Sequence, residues 1–247
     1  MEMAIKYHTI DPEGDLLLLL NQPLPNANVG ATSTDVTPSA APVFVNPANA
    51  SIANSTFGGS VQPQSAASPV SEVQMLVSSR HLTSASPVFK AMLRSNTFRE
   101  GQTLSATGKV SVPLPDDDPD ALKLLLDILH HRTLQVPKTI SLSTMTNLTI
   151  LVDKYQMVEV LGAYQHIWLG DENLVEESFP TTFSSPNFLP WLAISWVFKL
   201  HDIFIAVTKL ALQESEAKIQ DCTHEGRDLP IPTIVLGMKY RRLFILN

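Results

Sequence analysis

With 247 residues, 44% of them apolar, the chain has room for one or two packed domains. A net charge of −7 and a pI near 5.4 exclude any chain-wide attraction to nucleic acid or to an anionic membrane, and the basic KYRR knot at 239–242 reads as a solvated end. A single cysteine, Cys222, excludes an intrachain disulfide and suits a reducing compartment.

No secretory leader is legible. Asp11, Glu13 and Asp15 precede the apolar run at 16–20, whereas a membrane span needs about 20 apolar residues. The uncharged stretch at 178–198 is broken by Pro180, Pro186 and Pro190. The expected location is therefore intracellular, in cytoplasm or nucleus, with no membrane partner.

Residues 10–20, IDPEGDLLLLL, read as a turn followed by a strand, and the leucines fit a central strand buried on both faces. Residues 21–71 are different material, with seven prolines and Asp35 as the lone charge. Their apolar content is too sparse to offset the ordering entropy, so a disordered insertion is expected there. At 72–93, EVQMLVSSRHLTSASPVFKAML, the pattern changes within a few residues. Val73, Met75 and Val77 alternate as in a strand, whereas Leu82, Ala85, Phe89 and Met92 recur at helical spacing. Ser86-Pro87 signals a second helix start, a cap followed by a proline that loses no hydrogen bond.

Gly101 and Gly108 bracket what reads as a polar loop. Val110, Val112 and Leu114 then alternate as a strand, which Pro113 confines to an edge or an end. Residues 116–131, DDDPDALKLLLDILHH, give the clearest helix. Asp118 caps it, Pro119 opens it, Leu122, Leu125, Leu126 and Leu129 form a stripe, and Asp116, Asp117 and Asp120 complement its positive end. His130 and His131 close it, where the helix dipole favours an imidazolium. Leu134 and Val136 suggest an extended piece. A helix capped by Ser141 or Ser143 turns Met145, Leu148, Val152 and Tyr155 inward, and another carries Val160, Tyr164, Ile167 and Trp168. A linker is expected at 171–190. One long helix follows at 191–212 with Leu192, Trp196, Leu200, Phe204 and Val207 available to a core, then a loop at 221–232.

The search for catalysis returns little. Gly108-Lys109 lacks the rest of a phosphate loop, and no serine sits in a nucleophile elbow. His130 and His131 are adjacent and diverge by about 100° on a helix, so they do not chelate one metal as an i, i+4 pair would. The aspartates at 116–118 are explained by capping. No catalytic, cofactor or metal residue is assigned; a cysteine-dependent enzyme using Cys222, or a transcription-linked factor, stands as the alternative.

The order strand, strand, helix pair, strand, capped helix, two helices resembles the BTB/POZ domain, as do Asp15, Leu82, Ser86-Pro87, Phe89, Met92-Leu93, Leu125 and Ile128 in their places. The wording VSSRHL and ASPVFKAML is similar to the version common in fungal proteins. The resemblance implies an α+β fold, a small three-stranded sheet flanked by a cluster of helices, spanning 10–20 and 72–170. Residues 191–247 look like the helical extension that accompanies it, and whether Asn247 cuts that extension short is left open. Ser78 stands where many members have a histidine, and His130-His131-Arg132 replaces the family's aromatic-Thr/Ser-Gly. The function implied is a non-enzymatic protein-interaction module, by self-association, scaffolding or as adaptor to a cullin-based ubiquitin ligase. Leu82, Val88, Phe89, Met92 and Val112 are the candidate contact residues, with Val88 the best placed for a surface role. A dimer swapped through an N-terminal strand is not expected, because only nine residues precede Ile10.

Overall fold

The computed structural model describes residues 5–23, 70–170, 174–175, 178–213, 223–224, 226–232 and 235. Residues 24–69, nearly all of the expected insertion, lie outside them, as do Cys222 and residues 239–242 of the basic knot. Among the described residues the core is a four-stranded sheet in the order β1-β3-β2-β4, with β1 at Ile5–Thr9, β2 at Leu16–Pro23, β3 at Val70–Val77 and β4 at Val110–Pro113. The expected three-stranded sheet thus gains a strand, β1, and both β2 and β3 reach into the span read as insertion.

β1 runs parallel to β3, Ile5 opposite Glu72 and Thr9 opposite Leu76, and β2 runs parallel to β4. Asp15 N–H donates to Val77 O at 3.2 Å, and Ser71 Oγ donates to Gln22 O at 3.3 Å, which makes β2 antiparallel to β3 and the sheet mixed. The turn between β1 and β2 must therefore cross the end of β3. It does so by spending two amides on one carbonyl: Ile10 and Asp11 N–H both donate to Leu76 O, at 3.0 and 3.1 Å. Gly14 fits because a Cβ there would lie 2.7 Å from Val77 O.

Alternation sets the buried face. Leu16, Leu18 and Leu20 of β2 and Val73, Met75 and Val77 of β3 are buried, whereas Leu17 and Leu19 are half-buried. The leucine run is accordingly central in pairing but sealed on one face only. Buried side chains of α1 (Ser79–Ala85), α2 (Pro87–Met92), α4 (Pro119–Leu129), α5 (Leu142–Lys154) and α6 (Gly162–Leu169) join that face in one core. α4 is buried on nearly every side, from Ala121 to Ile128. Its cap is as read: Asp118 Oδ1 accepts Ala121 N–H at 2.8 Å.

Several local expectations are corrected. The span read as a loop after Leu93 forms α3 (Arg99–Thr107), ended by Gly108 at φ 73°. Leu134 sits in a 3-10 turn and is 97% exposed, not in an extended piece, and Ile167 faces outward. The single helix expected at 191–212 is two, α7 (Phe188–Val197) and α8 (His201–Gln213). Lys199 at φ 56° breaks it: Leu200 N–H reaches back to Ser195 O at 2.9 Å and Lys199 N–H to Trp196 O at 3.3 Å, the pattern of a Schellman stop. Trp196, expected inward, is 41% exposed. α7 starts inside the span read as linker, where Trp191 Nε1 donates to Ser178 O at 3.0 Å. In place of a plain loop at 221–232, a short ribbon, β5 (Thr223–His224) with β6 (Arg227–Asp228), reaches back to the α4 cap through Arg227 Nε, which donates to Asp116 O at 3.0 Å.

Candidate protein-interaction site

α1 begins without a cap of its own, since the Ser78 side chain makes no capping bond. Asp15, arriving from the turn before β2, supplies one: its Oδ1 accepts Ser79 N–H and its Oδ2 accepts the Ser79 hydroxyl, both at 2.7 Å. α2 is fixed at its first residue. Ser86 Oγ accepts Phe89 N–H at 3.0 Å and donates to Tyr155 O at 2.7 Å, and the Phe89 ring stacks on Tyr155 with centroids 4.6 Å apart. With Phe89 inward, helical geometry turns Val88, Ala91 and Met92 toward the side where α3 begins.

There they form one wall of an open groove of about 550 Å³. Phe98, 50% exposed, lines it from the head of α3, and Val112 and Pro113 of the edge strand β4 contribute from the sheet. Glu100 is the sole charged residue among those lining it. Of the five residues proposed from the sequence, Leu82 and Phe89 are fully buried in the core and do not line the groove, whereas Val112, 3% exposed, belongs to the core and lines the groove's floor. Val88 and Met92 are half-buried and reach the groove. Phe98 was missed because it precedes a stretch read as loop; a lone aromatic between polar residues carries no periodic signal.

Just ahead of α4, Asp117 is a buried acid. Its carboxylate accepts the Tyr155 hydroxyl and, at 2.6 Å, Lys154 Nζ. Burial, with the Asp117 charge alongside, pushes the Tyr155 phenol far above its ordinary value. This network ties the start of α4 to the end of α5. A second recess, of about 530 Å³, lies where Asp153 and Val158 meet Trp196, Lys199 and Phe204. Burial raises the Asp153 carboxyl above the usual carboxylate range there.

His130 corrects another expectation. Its Nδ1 lies 2.9 Å from Leu126 O, and Ser78 N–H donates to its Nε2 at 3.2 Å, so Nδ1 carries the proton and the ring is neutral. Burial outweighs the helix end and lowers its pKa below the ordinary value. The His81 ring packs on it, centroids 4.6 Å apart. Thus the backbone N–H of Ser78 is answered by a histidine from the end of α4.

Residues 70–168 match the family model of the BTB/POZ domain. The fold is that of a BTB domain. No curated protein and no solved structure matches the chain. The matched span begins at β3, so β1 and β2, two of the four strands in the sheet, come from outside it. BTB domains are generally protein–protein interaction modules and typically not enzymes. Among the described residues, no helix is long and apolar enough to cross a membrane.

Proposed function

We propose that this chain is a non-enzymatic, intracellular protein-interaction module that takes a partner protein in the groove between α2, α3 and β4. The observation that carries the reading is a recess lined by Val88, Ala91, Met92, Phe98 and Pro113 with Glu100 as the lone charge, on a BTB fold. A half-exposed aromatic beside half-buried aliphatic residues is the composition of an interface anchor. The finer proposal is adaptor to a cullin. Calorimetry of the full chain against the N-terminal region of a cullin tests it. Micromolar or tighter binding that Phe98→Ala and Val88→Asp each abolish supports the adaptor reading, and no binding leaves a scaffold. The wording of the α1–α2 segment supports a fungal-type member.

Self-association is a second reading, favoured by β1. That strand is the edge of the sheet, with Ile5 57% and Tyr7 52% exposed. An open edge with apolar side chains is a template for strand pairing with a second copy. Light scattering decides it: a dimeric mass that Tyr7→Pro reduces to a monomer supports pairing through β1, and a monomeric wild type removes it. For the Cys222 alternative, Cys222→Ala leaving any detected activity intact removes catalysis by that thiol.

A further inference from the structure

We infer that Asp11, His81 and His130 form a binding site for one divalent transition-metal ion, with zinc as the fitting case. Each residue offers one ligand atom, and the three atoms lie within 4.8 Å of one another. They come from the β1–β2 turn, α1 and the end of α4. Two imidazoles and a carboxylate match the borderline character of zinc, cobalt or nickel better than that of calcium or magnesium, which take oxygen donors.

Two further observations point at a ligand. His81 Nδ1 is buried and has no hydrogen-bond partner among the described residues, an arrangement that costs stability unless something occupies the lone pair or the proton. His130 is held by the contact usual for a metal-bound imidazole, one ring nitrogen on a backbone carbonyl, here Nδ1 at 2.9 Å from Leu126 O. The opposite nitrogen then carries a lone pair and meets Ser78 N–H at 3.2 Å, so a metal takes the place of that hydrogen bond. Zinc bonds of about 2.0–2.1 Å put tetrahedral donors about 3.4 Å apart, so binding asks the donors to close by at most about 1.4 Å. With three protein ligands, a further position remains for water or a partner's side chain.

The full chain, stripped with a chelator, is titrated with Zn²⁺ by calorimetry and with Co²⁺ by visible absorption. One ion per chain is expected, with tetrahedral Co²⁺ bands, a raised melting temperature and an affinity cut at least about tenfold by either His81→Gln or Asp11→Asn. Cys222→Ser and His201→Gln leave it unchanged. Circular dichroism confirms that the variants are folded, and Asp11→Asn carries the test should His81→Gln unfold. No binding at submillimolar zinc, or binding that survives both His81→Gln and Asp11→Asn, overturns the site and leaves His81 and His130 as two packed rings. A loss on Cys222→Ser overturns it equally, by placing the metal elsewhere.

Discussion

Ser86 and Tyr155 are joined by a hydrogen bond of 2.7 Å from the serine hydroxyl to the tyrosine carbonyl, while the same hydroxyl caps α2 at Phe89 N–H. One oxygen therefore starts a helix and docks it on α5. Removing it forfeits a cap of about 1 kcal/mol. It also strands a carbonyl in a dry setting at about 1–3 kcal/mol. Ser86→Ala is expected to lower unfolding free energy by about 2–4 kcal/mol in urea titrations, whereas exposed Ser84→Ala stays within about 0.5 kcal/mol.

Gly101 sits where α3 passes the turn after α2, and a Cβ there would lie 2.1 Å from Arg94 O, a backbone atom with nowhere to go. Gly101→Ala should cost roughly 3 kcal/mol or more, because α3 must lift off. Phe98 moves with α3, so the same variant should weaken partner binding at temperatures where the domain is still folded. Thermal melts and binding assays run in parallel check both.

Lys199 gives a change in the other direction. A non-glycine residue at φ 56° pays about 1 kcal/mol against glycine for the left-handed conformation. Lys199→Gly is expected to raise stability, by about 0.5–1 kcal/mol once the looser unfolded chain is allowed for. A fall in the urea midpoint would mean that the lysine stem packs in the recess beside Trp196.

For His130 the folded pKa lies below the unfolded value of about 6.5. The unfolded chain then binds more protons in that window, so stability falls as pH drops through 6.5 toward the folded value and levels off beneath it. Burial is the main cause. His81 acts in the same sense, and the Leu126 carbonyl and the charges of Asp11 and Asp127 oppose it. In a chelator, the melting temperature should drop between about pH 7.5 and about 5.5, and drop less in His130→Gln. Parallel curves for the two proteins would remove the assignment.

How much of this was legible follows from the kind of signal each element carries. The Ser86-Pro87 and Asp118-Pro119 starts were readable because a cap and a proline are local chemistry. The β3 and β4 alternations were readable because one face is dry. β1 was not, because a parallel edge strand with four of its five residues exposed shows no contrast between faces. α3 hid behind glycines, one of which is there for a close backbone approach rather than a turn. Lys199 hid a helix stop that normally announces itself as glycine. At the site, Val88 and Met92 could be placed by helical phase from Phe89. Asp117 and the His81–His130 pair could not, since their partners lie 38 and 49 positions away along the chain.

α7 serves two cores: Ile194 and Val197 enter the one built on the sheet, while Trp191, Leu192 and Ala193 enter a second cluster with Val207, Leu229 and Ile231. A helix common to two cores transmits the melting of either to the other. A fragment ending at residue 168 would strip Ile194 and Val197 from one core and bare Leu142 and Ile150, which pack on the other, to water. For this chain the natural unit of expression, of proteolytic resistance and of thermal cooperativity is thus larger than the domain that names its fold.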